Sequence, residues 1–204
     1  MSGRLVIVST PIGNLGDFSE RAARTLEGAD IIACEDTRMT RKLLALSGLT
    51  STAKLVPYHD HNGATMRPRL LADIGDGKIV ALVSDAGTPL ISDPGYKLVA
   101  GCHDHGFTVT AVPGPSAPLA ALTVSGLPSD KFTFAGFLPP TKKACETAIK
   151  DVSDLPMTII WFETPRRLLK SLTLMADILG PRLTVVVREL TKVHEEVIRA
   201  PLPD

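Results

Sequence analysis

Ser84-Asp85-Ala86-Gly87-Thr88-Pro89-Leu90-Ile91-Ser92-Asp93-Pro94-Gly95 gathers hydroxyls, carboxylates and glycines directly after the apolar run Ile79–Val83. Such a run reads as a buried strand. A strand that empties into a polar, small-residue loop marks the carboxyl edge of a parallel sheet, where open α/β folds bind ligands. Gly87 and Gly95 open backbone angles closed to other residues, while Pro89 and Pro94 stiffen the loop. A long irregular segment inside a compact domain reads as a binding loop.

Other segments carry candidate chemistry. Cys34-Glu35-Asp36-Thr37-Arg38 sets two carboxylates, a hydroxyl and a guanidinium after a second apolar run. Its bland reading is a helix cap by Asp36 or Thr37. Arg38, Arg41 and Lys42 form a cluster able to contact phosphates. Tyr58-His59-Asp60-His61-Asn62 offers metal ligands, a general base with its orienting acid, or a plain polar loop. A metal needs a third ligand at suitable spacing, and none lies nearby. Thr10–Asp17 resembles neither a dinucleotide fingerprint nor a phosphate-binding loop. Its glycines and the following helix start suit an anion or a tight turn equally. Asp85-Ala86-Gly87-Thr88 lacks the hydroxyl residue after Asp, and the second copy, that an aspartic protease needs. Phe162-Glu163-Thr164-Pro165-Arg166-Arg167 ends a strand and opens a helix, Pro165 suiting its first turn. Arg166, Arg167 and Lys170 read by default as a solvated helix face. Arg188 and Glu189 follow another apolar run, where an internal ion pair is the structural alternative.

The elements that must position these residues alternate. Strands are expected at Leu5–Val8, Asp30–Cys34, Lys54–Tyr58, Ile79–Val83 and Thr108–Val112. Pro57 restricts the third to an edge or a strand end. Helices are expected near 18–28, 38–47, 64–75 and 95–105, the first opened by a capping box of Asp17 and Glu20. This rhythm predicts a doubly wound, mostly parallel sheet. Pro113-Gly114-Pro115-Ser116 punctuates the chain, with Gly114 allowing a tight turn and Ser116 able to cap a helix to about Ser125. A domain junction is placed there, between 1–113 and 117–204. The second half has strands at Phe132–Gly136, Thr158–Phe162 and Leu183–Val187, with helices near 140–151 and 165–179. The tail from Ala200 is not a natural close for a sheet domain.

The 204 residues carry 22 basic and 22 acidic side chains, which argues against gripping nucleic acid by bulk charge alone. A local basic face is still allowed. The 44% hydrophobic content is enough for a sizeable core, built mainly from aliphatic residues. Cys34, Cys102 and Cys145 lack metal or redox spacing and read as reduced thiols of a cytosolic protein. No signal peptide precedes Arg4, and no apolar run approaches membrane-spanning length.

Taken in order, Leu5–Asp17, Glu35–Arg38, His59–Asn62, Ser84–Gly95, Val112–Pro128, Phe134–Pro139 and Arg188–Lys192 resemble the bacterial small-subunit ribosomal RNA (cytidine-2′-O)-methyltransferases of the tetrapyrrole methylase superfamily. The resemblance implies a two-domain α/β, class III methyltransferase fold, with a mostly parallel first sheet and a mixed second sheet. It implies S-adenosylmethionine held between the domains of a cytoplasmic homodimer that acts on small-subunit ribosomal RNA or the assembled subunit. On that pattern Asp85, Ala86, Gly87, Thr88, Pro89, Ile91 and Ser92 contact the methionine and ribose portions. Pro113, Gly114, Ser116 and Ala117 line the wall; Phe137, Leu138, Phe162 and Glu163 lie near the cofactor; Glu189 and Thr191 complete the adenosine side. Pro140–Cys145 is less basic than the family's run, and the relatives continue beyond the position of Asp204, so the second domain is expected to be truncated.

A ribose hydroxyl is a poor nucleophile until its proton is removed. Candidate bases are Glu35, Asp36, His59 and His61, with Glu35 and His59 leading. The RNA is expected to lie across Arg38, Arg41, Lys42, Arg67 and Arg69, and no metal is required. The rival readings are carbon methylation of a tetrapyrrole, disfavoured by the Arg-bearing Glu35–Arg38 loop, and a non-catalytic adenosine-ligand or RNA-binding module. A nicotinamide oxidoreductase is weaker, for want of a fingerprint.

Overall fold

The computed structural model describes residues 3–203; Met1, Ser2 and Asp204, at the ends of the two expected domains, lie outside the described residues. The chain divides into two compact units, Met1–Ser116 and Ala117–Asp204.

The first unit is a five-stranded, wholly parallel sheet: β1 (Arg4–Val8), β2 (Ile31–Cys34), β3 (Lys54–Pro57), β4 (Ile79–Val83) and β5 (Thr108–Val112), in the order β3-β2-β4-β1-β5. The helices α1 (Glu20–Glu27), α2 (Thr37–Leu46), α3 (Gly63–Gly75) and α4 (Tyr96–Asp104) connect the strands. Pro57 closes β3, an edge strand, so its missing N–H interrupts no ladder. Successive residues of a strand face opposite sides, and both sides are covered here. Leu5, Ile31, Ala33, Val80 and Leu82 pack with Leu70 and Ile74 of α3 and Leu98 and Cys102 of α4. Val6, Val8, Ile32, Cys34, Ala81 and Val83 pack on the other side with Ala22 and Leu26 of α1 and Leu44 of α2.

This two-sided packing locates the ligand edge. The connections after β1 and β2 lead to helices on one face, while that after β4 leads to the other. β4 lies between β1 and β2. The chain therefore parts on both sides of the carboxyl end of β4, opening a crevice at Ser84–Gly95.

The second unit contains α5 (Ala117–Ser125), α6 (Lys142–Ser153), α7 (Pro165–Leu179) and four strands. β6 (Phe132–Phe137) pairs in parallel with β7 (Thr158–Phe162), and β8 (Leu183–Arg188) pairs antiparallel with β9 (Glu196–Pro201). Strand directions are mixed, as expected, but in two separate ladders. A cavity of about 720 Å³ lies against both, lined by Ile159 and Trp161 of β7, Leu172 and Met175 of α7, and Val185 and Val187 of β8. The core of this unit joins Leu138, Cys145 and Ile149 to Trp161, Leu174 and Ile178.

Three expectations change. Ser19, not Asp17, caps α1, its hydroxyl accepting from Ala22 N–H; Asp17 closes a short 3₁₀ turn, Leu15–Asp17. Gly114 is required by close approach, because a Cβ there would lie 2.9 Å from Cβ of Ser9. β9 had no sequence signal, since its largely exposed face shows no apolar alternation.

Candidate functional site

Three loops are sewn together at the carboxyl edge of the first sheet. Thr10 N–H donates to Gly87 O at 2.8 Å, and Gly87 N–H returns to Thr10 O at 3.1 Å. Gly87 sits at φ 84°, open to glycine at little strain. The Thr88 hydroxyl donates to Pro115 O at 2.9 Å and lies 3.1 Å from the Ser9 hydroxyl. The Thr10 hydroxyl donates to Ser84 O at 3.3 Å. The ends of β1, β4 and β5 thus share one network. These bonds place Pro113–Ser116 with the first unit.

The loop itself is strained. Leu90 and Ser92 have φ of 73° and 66°, conformations that cost a non-glycine residue of order 1–3 kcal/mol and cluster at ligand sites. Ile91 between them is 41% exposed. An apolar side chain is thus held exposed between two strained residues at the carboxyl end of β4.

Beside this loop stand the acids. Asp36 N–H donates to Asp85 Oδ1 at 3.1 Å. Asp36 caps α2 through Arg38 N–H at 2.8 Å and pairs with the Arg38 guanidinium at 2.6 Å. Those bonds hold its carboxyl down at about 2, so it stays ionised and occupied. Glu35 differs: desolvation, then the charges of Asp85, Asp93 and Asp60, push its carboxyl up, with His59 opposing. Asp85 and Asp93 are also raised, first by burial. The two neighbouring carboxyls are therefore split: Asp36 is held ionised by its partners, while the Glu35 carboxyl is raised.

His59 follows the neighbouring strand end, which Tyr58 N–H ties to Cys34 O at 2.7 Å. The Asn62 side chain accepts from His59 N–H and donates to Pro57 O, both at 2.9 Å. His59 Nδ1 is buried without a partner. The His61 ring lies 6.0 Å from that of His59. Among the described residues no group of three or more His, Cys, Asp or Glu could hold a metal ion.

The basic residues do not form one patch. Arg38, Arg41 and Lys42 are exposed on α2. Arg67 on α3 is held beside Tyr58. Arg69 lines a small pocket with Asp30, Lys54 and Lys78, at the amino ends of the strands and so at the opposite edge from Glu35.

In the second unit Phe137 is 54% exposed, its ring 5.2 Å from that of Phe162, which lies 4.9 Å edge-on to Phe134. Leu138 is fully buried. Glu163 accepts from Thr164 N–H at 2.7 Å and from the Ser171 hydroxyl at 2.5 Å, and pairs with Arg167 at 3.2 Å. Glu189 and Thr191 have φ of 51° and 65°; the Thr191 hydroxyl is buried without a partner. Arg188 pairs with Glu196 across the β8–β9 ladder, and Glu189 with Lys192 at 3.3 Å. Arg188 and Glu189 thus each pair with another residue, which gives both the structural role weighed as the alternative.

Ser9, Asn62, Asp93 and Arg167 were absent from the candidates drawn from the sequence. All four lay inside quoted segments, with Arg167 read there as part of a solvated helix face. Ser9 and Arg167 act through contacts far along the chain, which no spacing reveals.

Comparison with known proteins adds a second line. The family model for tetrapyrrole (corrin/porphyrin) methylases matches residues 4–204. The chain is 53% identical over 194 residues to ribosomal RNA small subunit methyltransferase I of Mesorhizobium japonicum, covering 95% of this chain and 65% of that protein. It is 48% identical over 202 residues to the protein of the same name from Halalkalibacterium halodurans, covering 99% and 69%. It spans about two thirds of the length of these relatives. A solved uroporphyrin-III C-methyl transferase from Thermus thermophilus, complexed with S-adenyl homocysteine, is similar in fold at TM-score 0.64 and 21% identity, covering 98% of this chain and 88% of that one.

Proposed function

The chain belongs to the tetrapyrrole (corrin/porphyrin) methylase family, and from that premise we propose that it transfers a methyl group from S-adenosylmethionine to the 2′-hydroxyl of a cytidine ribose in small-subunit ribosomal RNA. The ribosomal RNA substrate rests on relatives of 48–53% identity that carry that activity in their names. The same reading carries a homodimer acting in the cytoplasm on ribosomal RNA or the assembled subunit. Among the described residues no helix is long and apolar enough to cross a membrane.

The residues present fit the cofactor. In the first unit the strained Leu90–Ser92 backbone offers polar backbone groups; in the second, taken by itself, the orphaned Thr191 hydroxyl and the exposed Phe137 ring offer a hydroxyl and an aromatic face. Asp85 and Asp93 supply carboxylates suited to a sulfonium and an ammonium. Asp85 to Ser92 are assigned to the methionine and ribose portions, with Pro113–Ala117 beside them. Phe137, Leu138, Phe162, Glu189 and Thr191 are assigned to the adenosine. Glu163 is assigned to orienting this segment, its carboxylate being taken by Ser171, Thr164 and Arg167.

When bound, S-adenosylmethionine supplies an electrophilic methyl group on sulfur. Glu35 accepts the proton of the ribose hydroxyl, and the rise in its pKa makes it a stronger base than a free carboxylate. His59 borders it, and Asp36 holds the end of α2. Arg38, Arg41 and Lys42 meet RNA phosphates, which position the strand without reading its sequence. The observation that carries the reading is the strained Leu90–Ser92 loop at the topological switch point, joined through Asp85 to the backbone N–H next to Glu35.

The test is incubation with labelled S-adenosylmethionine and unmethylated small subunits, followed by mass spectrometry of the RNA. A methyl group on one cytidine ribose is expected. A methyl group on a base, or no transfer, overturns the assignment.

A further inference from the structure

Arg167 stands in the first turn of α7, the end of a helix where a cation is least favoured. Its partners explain the position. Its Nη2 donates to Leu138 O at 2.7 Å and to Pro139 O at 2.8 Å, and lies 3.2 Å from Glu163 Oε2. The Glu163 side chain is only 8% exposed; Ser171, one turn further along α7, donates to the same Oε2, while Thr164 N–H donates to Oε1. A chain of charge-assisted bonds therefore runs from the body of α7, through Glu163 and Arg167, to the turn after β6. Such bonds are about twice as strong as neutral ones.

That turn begins at Phe137, whose half-exposed ring leans on Phe162. β6 is irregular just before it, with a register shift between Phe134 and Phe137 and Gly136 at φ 69°. Phe137 still pairs with Phe162, but the ladder's bond into the turn, Leu138 N–H to Phe162 O, is a long 3.4 Å. The two shorter bonds from Arg167 to the Leu138 and Pro139 carbonyls add the firmer anchor. An aromatic face on an anchored turn takes a flat ring by stacking.

We infer that Arg167 is a positioning residue: by gripping the Leu138 and Pro139 carbonyls it holds the Phe137 face ready for the adenine of S-adenosylmethionine. This rests on the function proposed above. On this reading Arg167 acts through the turn, by way of the two carbonyls it holds.

The experiment measures S-adenosylmethionine binding to the full chain by calorimetry, reading affinity and stoichiometry separately. Arg167→Met removes the donors and keeps the bulk. It also strands the Glu163 carboxylate, so Arg167→Met/Glu163→Gln is the companion that relieves the buried charge. Both are expected to bind about tenfold more weakly at unchanged stoichiometry, as loss of roughly one charge-assisted bond implies. Arg167→Lys, which keeps charge and donors, is expected to recover most of the affinity. Binding by the folded double variant within about twofold of the unsubstituted chain overturns the inference. So does equal binding by the Met and Lys variants, since packing alone would then account for the residue. Failure of the unsubstituted chain to bind overturns both this and the parent reading.

Discussion

Asp85 Oδ1 accepts the N–H of Asp36 at 3.1 Å, which joins the loop after β4 to the loop after β2. One carboxylate thereby does two things. It fixes the backbone on which Glu35 is carried, and its charge raises the Glu35 carboxyl. The binding loop and the proposed base are coupled both mechanically and electrostatically.

Asp85→Asn separates those roles. The amide oxygen still accepts from Asp36 N–H, so the loops stay joined. The charge is gone, so the Glu35 carboxyl falls. A base works only when deprotonated, so the acidic limb of the pH–rate profile for methyl transfer is expected to move to lower pH. Asp85→Ala loses the bond as well and is expected to lower kcat at every pH. An unmoved limb in Asp85→Asn shows that Glu35 is not the titrating base.

Glu35→Gln tests the same carboxyl through stability. Its carboxyl is raised in the folded chain, first by desolvation and then by Asp85. A raised carboxyl favours folding while it is protonated, and that contribution is lost as pH rises through the folded pKa. At neutral pH the charged form is therefore a burden on the fold. Glu35→Gln is expected to raise Tm by about 1–2 °C near pH 8, a small gain because the site is solvent-screened, and by less near pH 4. Methyl transfer is expected to fall about 100-fold with cofactor affinity unchanged. Thermal melts at the two pH values, beside single-turnover assays, check both halves.

The first unit was legible because its strands are short apolar runs ended by Gly, Pro and polar clusters. Ile79–Val83 and Thr108–Val112 coincide with β4 and β5. β2 and β4 are so buried that no alternation shows, and chain order settles them as parallel strands. β9 was not legible, because its stability comes from pairing with β8 and its exposed residues carry no pattern. In the site, Glu35 and Asp36 both stood among the candidate bases, Glu35 leading, though adjacency in the chain gave no physical ground to separate them. Only tertiary contacts separate them, since Arg38 is bonded to Asp36 while Asp85 and Asp93 surround Glu35. The five arginines and lysines proposed for RNA were gathered by charge alone. Helix phase and strand direction put Arg69 beside Lys54 and Asp30, at the other edge. Arg167 looked like a solvated charge because its partners, Leu138 and Pro139, lie more than a helix earlier in the chain.

Gly114 and Ser9 make a contact that substitution can weigh. A Cβ at position 114 would sit 2.9 Å from Cβ of Ser9, closer than real side chains approach. Overpacking of this kind costs about 1–3 kcal/mol. Gly114→Ala is therefore expected to lower Tm by about 3–8 °C. Because Ser9 also lies 3.1 Å from the Thr88 hydroxyl, the displaced residue loosens the Asp85–Ser92 loop, and cofactor affinity falls with Tm. Ser9→Gly removes the clashing atom and that hydroxyl together. It lowers stability by itself, yet in its background Gly114→Ala is expected to cost much less. A double-mutant cycle followed by thermal melts reads the coupling directly. If Gly114→Ala costs the same in both backgrounds, the glycine is required for its own backbone and not by the approach of Ser9.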